Sequence, residues 1–138
     1  MPVTMELIEN GRSLRYVISD PWIIADFTAT FPEAKAILDA AHYPVHGVVN
    51  LHATAKDPLG VLNIRKHPSF SHPNGGWTAF CHASPLARRV TETALRLARF
   101  NRMKFFNTEA EGLAFVRDLI AKEDLARQNS VQQRDPVL

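Results

Sequence analysis

Six histidines and a single cysteine are the side chains whose spacing most invites chemistry. His67 and His72 flank the stretch PSFS, and His42 and His46 bracket YPV. A zinc site would need three or four such ligands converging, usually with Cys, Asp or Glu among them. Nothing in the spacing supports that convergence, so neither a metal nor a cofactor is expected. His52 and His82 fall near the ends of two segments that read as neighbouring strands, where open α/β sheets place their ligands. With Trp22 and Trp77 they frame one alternative, a small-ligand or metal-binding carrier or enzyme. The plainer reading is a pair of hydrogen-bonded histidines at strand ends.

A nucleophile is no better supported. Cys81 precedes His82, but adjacent residues of a regular strand face opposite ways, and a lone cysteine within AFCHA reads as a small buried hydrophobe. Ser84 followed by Pro85 has the form of a helix cap. The chain has no Gly-x-Ser-x-Gly elbow and no Gly-x-Gly-x-x-Gly. Asn74-Gly75-Gly76 lies between a Pro-rich loop and a strand, so it reads as a turn; a phosphate loop would join strand to helix. The expectation is a protein that is not an enzyme.

The remaining candidates are charged. In the segment PLARRVTETALRLARF, Leu86, Val90, Ala94 and Leu97 share one helical face, which leaves Arg88, Arg89, Arg96 and Arg99 largely outside it. Glu92 stands four residues from both Arg88 and Arg96, a spacing that supports intrahelical pairs of a few tenths of a kcal/mol each. The plainest reading of the arginine face is a solvated surface, and the functional one is a docking face for an acidic protein partner. Aromatics interleaved with the arginines, on which single-stranded nucleic acid would stack, are missing.

The elements that must position these residues follow from turn and cap signals. Two apolar-rich runs flank Asn10-Gly11, so a β-hairpin opens the fold. Phe27, Phe31, Ala34, Leu38 and Ala41 recur at helical spacing. Thr30 and Glu33 form a capping-box pattern around Pro32, which predicts a short helical turn and then a fresh helix ending near Ala41. VHGVVNL reads as a mid-sheet strand buried on both faces, WTAFCHA as the next and MKFF as the last. Thr108 and Glu111 repeat the capping box before a helix in which Leu113, Val116, Leu119 and Ile120 are in phase. The predicted fold is α/β, a mixed five-stranded sheet opened by a hairpin with about four helices packed against it. Residues 1–126 form a single domain, and 127–138 a polar, flexible tail.

Between the second of these helices and WTAFCHA the buried strand runs into Asp57-Pro58-Leu59-Gly60 and a short helix. That order, over residues 5 to 120, resembles the STAS domain, the fold of sulphate transporters and anti-sigma factor antagonists. In the bacterial antagonists a serine in the corresponding turn is phosphorylated to control binding to a kinase-like partner. Here Pro58 and Leu59 carry no hydroxyl, so the acceptor for that charge switch is missing from the usual place, and Thr54 is the nearest remaining hydroxyl. The resemblance implies an interaction or regulatory module, not phosphorylated at the usual position. Its contact surface would be Thr54, Asp57, Pro58, Leu59 and Gly60, aided by Arg88, Arg89, Arg96 and Arg99, and its partner another protein or a second copy.

Composition bounds the rest. At 138 residues, 46% hydrophobic and 22% charged, the chain can bury a single core. One cysteine excludes an intrachain disulfide. No segment has the ~20 apolar residues that span a bilayer, and the first residues lack the form of a signal peptide. A cytoplasmic protein without a membrane partner is expected, with no small-molecule substrate and no nucleic acid.

Overall fold

The computed structural model describes residues 2–53 and 66–134, with the backbone alone at 52–53 and 131–134. Strands β1 (Val3–Ile8) and β2 (Ser13–Ser19) form the opening hairpin. Glu9, Asn10 and Gly11 turn the chain between them, all three at positive φ. At Gly11, with φ +85°, the lack of a Cβ removes the penalty a side chain would carry. Two helices follow, α1 (Ile24–Thr28) and α2 (Phe31–Ala40). Then come β3 (Val45–Ala53), β4 (Gly75–Cys81), α3 (Pro85–Leu97), β5 (Met103–Phe106) and α4 (Glu109–Arg134).

The five strands lie in the order β1-β2-β3-β4-β5. The first pair is antiparallel and the others parallel, so the fold is α/β with a mixed sheet. Central β3 is buried on both faces, as its pattern predicts: Val45, Val49 and Leu51 enter one cluster and Val48 the other. The larger cluster gathers Leu14, Tyr16, Ile18 and Phe80 from the sheet with Phe27, Ala34 and Leu38 of α1 and α2 and Leu95 of α3. The smaller one places Val116 of α4 over Val48, Ala79 and Cys81. Helices therefore cover both faces, α1 to α3 on one and α4 on the other. Each fully buried large apolar side chain contributes about 1.5–3 kcal/mol.

Three local expectations are corrected. Thr30 does not cap α2: its own φ and ψ are helical, and its hydroxyl donates to the Phe27 carbonyl at 2.7 Å. The side-chain contact at a helix start lies earlier, where the Asp26 carboxylate accepts the Ile23 N–H at 2.9 Å. The buried face of α3 is Ala87, Thr91, Ala94 and Leu95, whereas Leu86 and Leu97 are 58% and 80% exposed. The small side chains let the helix close on the sheet, leaving space for one large residue, Leu95. Asn74 does lie in a turn, but Gly75 and Gly76 already belong to β4. A Cβ on Gly75 would run into the Ser69 carbonyl, and one on Gly76 into the His46 ring.

Helix α4 also continues to Arg134, well past the end near Ala126 that its apolar spacing predicts. Its start is as expected, with the Thr108 hydroxyl accepting the Glu111 N–H at 3.2 Å and donating to the Glu111 carboxylate at 2.9 Å. Among the described residues no helix is long and apolar enough to cross a membrane.

Candidate interaction surface

Helix α3 is set by its cap, the Ser84 hydroxyl accepting the Ala87 N–H at 3.1 Å with Pro85 in the first turn. Because Ala87, Thr91, Ala94 and Leu95 face the sheet, Arg88, Glu92 and Arg96 fall on the side turned toward β5. The helix ends at Leu97, the chain reverses in the turn at Arg99, whose φ is +63°, and Phe100 returns to the core with its N–H on the Leu95 carbonyl at 2.8 Å. Arg102 then anchors the start of β5. Its guanidinium donates to the carbonyls of Gly76 (3.3 Å) and Gly75 (3.1 Å) and stacks on Phe100 at 5.1 Å.

Between α3 and β5 runs an open groove of about 290 Å³, lined by Arg88, Glu92 and Arg96 on one side and Asn101, Met103 and Phe105 on the other. Arg88 lies over the Phe105 ring, 5.1 Å from its centroid, while Arg96 pairs with Glu92 at 2.6 Å. The ammonium of Lys104 projects from the other face, over Phe106 and Phe115. Of the four arginines that the sequence singles out, Arg88 and Arg96 line the groove. Arg89 is exposed on α3 outside it, and Arg99 marks the turn after the helix. Thr54, Asp57, Pro58, Leu59 and Gly60 lie outside the described residues.

Charge is concentrated here. Of the chain's 16 Lys and Arg and 14 Asp and Glu, residues 85–106 hold six cations and one anion, which leaves the remainder net acidic. Among the described residues no salt bridge reaches Arg88, Arg89, Arg99, Arg102 or Lys104.

The other polar groups are tied into the fold. His67 is 5% exposed among Tyr16, Phe27, Phe31 and Phe70. Its Nδ1 accepts the Ser69 N–H at 3.0 Å, so Nε2 carries the proton and donates to the Tyr16 oxygen. The phenol donates in turn to Met5 Sδ at 3.0 Å. Burial pushes His67 down to about 4 and holds the Tyr16 phenol protonated well above its usual range. The cavity beside them, about 20 Å³, has room for about one water. His46 accepts the Trp77 N–H at 2.9 Å and donates to Glu123 at 2.6 Å, and His72 reaches Asp39 at 2.7 Å.

Glu109, at the start of α4, accepts from Arg15 and, at 2.6 Å, from Asn50, tying the helix to β2 and β3. Those bonds hold its carboxyl below the usual glutamate range, Arg15 contributing most. Cys81 is fully buried, and burial, reinforced by Glu109 and Glu111, pushes its thiol up to about 12. Among the described residues no three His, Cys, Asp or Glu side chains gather as metal ligands. Trp22 packs on the α1–α2 side and Trp77 against Phe115 beneath α4, so the sheet separates these two residues of the alternative pocket.

Sequence reasoning missed Asn101, Met103 and Phe105. The signal was topological: MKFF is the last strand of a β-α-β series that never reverses direction, so among the described residues it lies at the edge of the sheet. Compared with protein-family models, curated proteins and solved structures, the chain matches none.

Proposed function

We propose that this chain is a non-catalytic interaction module of STAS type that meets an acidic protein partner through the groove between α3 and β5. The observation that carries the reading is the charge distribution, six cations against Glu92 in a segment of a chain otherwise net acidic. Such a patch steers an oppositely charged partner and repels a like one. The absence of a role in catalysis is supported by the state of the two candidate nucleophiles. The Cys81 thiol is buried and hard to ionise, and the Ser84 hydroxyl is engaged in capping α3. The regulatory turn of the resemblance would add to this surface through Thr54 and Asp57 to Gly60.

Binding to fluorescent poly-L-glutamate, followed by anisotropy, tests the reading. The double substitution Arg88→Glu and Arg96→Glu is expected to weaken binding about tenfold or more, while Arg117→Glu on α4 changes it little. Equal loss from both variants, or stronger binding to heparin than to polyglutamate that the double substitution abolishes, would overturn it in favour of general or nucleic-acid-like polyanion binding.

A further inference from the structure

We infer that the partner docks as an extended acidic segment that adds a sixth strand to the sheet along β5. The inference rests on the reading of the groove as a protein-binding surface and specifies what occupies it. β5 has β4 on one side and, among the described residues, no strand on the other. At the ends of their ladder the Thr78 N–H donates to the Arg102 carbonyl at 2.9 Å and the His82 N–H to the Phe106 carbonyl at 3.1 Å. Backbone groups alternate sides along a strand, so those of Arg102, Lys104 and Phe106 turn toward β4. The N–H and C=O groups of Met103 and Phe105 therefore face outward, the pattern that an incoming strand completes.

The side chains beside that edge select the segment. Met103 and Phe105 pack toward the α3 face, where Arg88 and Arg96 line the groove, so alternate residues of an added strand would lie within reach of two guanidiniums. Residues pointing the other way would meet Lys104. Carboxylates suit both sides, and apolar side chains suit the Phe105 and Met103 surface between the arginines. A second copy joined edge to edge through β5 would bring Arg88, Arg96 and Lys104 against their own equivalents, so like charge disfavours the homodimer. A nucleic acid could neutralise the cations but has no use for an alternating row of N–H and C=O groups.

A short capped peptide of alternating Glu and Val is the probe, with amide hydrogen exchange of the full chain as the readout. Expected is slowed exchange at Met103 and Phe105 on adding the peptide, with little change at Lys104, whose N–H already faces β4. Methylating the peptide's edge-facing nitrogens should abolish that protection. Met103→Pro removes an outward N–H without breaking the β4 ladder, a position where an edge strand tolerates proline, and Met103→Ala controls for the lost side chain. Binding should fall about tenfold in the proline variant relative to the alanine variant. If the peptide binds and Arg88→Glu abolishes binding, but the two amides stay unprotected and the proline is silent, strand addition is wrong while the groove reading stands. If Arg88→Glu leaves binding unchanged, both fail.

Discussion

Gly112 of α4 sits directly over the thiol of Cys81: a Cβ built on the glycine would come within 2.5 Å of Sγ. The helix can approach β4 this closely only because position 112 has no side chain, and that approach seats Val116 on Val48 and Ala79. In an exposed helix interior Gly→Ala would gain about 1 kcal/mol. Here the clash with a fully buried sulfur outweighs the gain, and Gly112→Ala should destabilise the protein by about 1–3 kcal/mol. Adding Cys81→Ala removes Sγ and should recover most of the loss, as urea denaturation of both variants would report. Additive losses in the double variant would mean that the two residues do not contact each other.

The same closeness governs the reactivity of Cys81. A thiol pushed up to about 12 holds almost no thiolate at mild alkaline pH, and its burial blocks reagents as well. A thiol-reactive chromogen should therefore leave the native protein unmodified at pH 8 and label one thiol per chain once urea unfolds it. Rapid labelling of the native protein would show that α4 lifts from the sheet.

Buried His67 makes stability depend on pH. Its folded value, about 4, lies below the ordinary value of 6.5, so the neutral imidazole belongs to the folded chain. Above pH 6.5 neither state binds the proton and the stabilising contribution is complete. Between 6.5 and about 4 the unfolded chain takes up a proton that the folded chain refuses, and stability falls by up to about 3 kcal/mol before levelling. His67→Phe should flatten that part of the profile, whatever it does to stability at neutral pH. In imidazole nitrogen spectra the ring should show its proton on Nε2.

The parts of this fold that were legible are those in which a local signal has one physical solution. Asn10-Gly11 could hardly do anything but turn between two apolar runs, and Ser84-Pro85 and Thr108-x-x-Glu111 mark helix starts that the structure contains. The capping-box pattern at Thr30 failed because the chain is already helical there, and its hydroxyl had a nearer acceptor in Phe27. The face of α3 was misassigned because hydrophobicity favours the leucines. Helix-to-sheet distance favours alanine and threonine, and Leu86 and Leu97 are left outside. The far end of α4 carries no apolar period to mark it. Arg88 and Arg96 were legible as surface, but their neighbours Phe105 and Asn101 come from a different element and meet them only through the order of the strands.

Glu109 controls a second, lower pH window. Its carboxylate takes hydrogen bonds from Arg15 and Asn50 while largely shielded from water, and it joins α4 to two strands of the opposite layer. Hydrogen bonds to a charged group are worth about 1.5–3 kcal/mol, so Glu109→Gln should cost about 2 kcal/mol at neutral pH. With a folded value below that of the unfolded chain, this contribution is complete above the ordinary glutamate value of 4.5 and is lost as pH falls through the lowered one. The Glu109 window opens at about 4.5, just above the point near 4 where the His67 contribution has finished falling, and extends below it. In wild-type protein the acid limb should fall in two stages, the upper removed by His67→Phe and the lower by Glu109→Gln. The gap between wild type and Glu109→Gln should close as the pH drops through the lower stage. A gap that stays constant down to the acid transition would mean that the carboxylate's charge is not what holds α4 to the sheet.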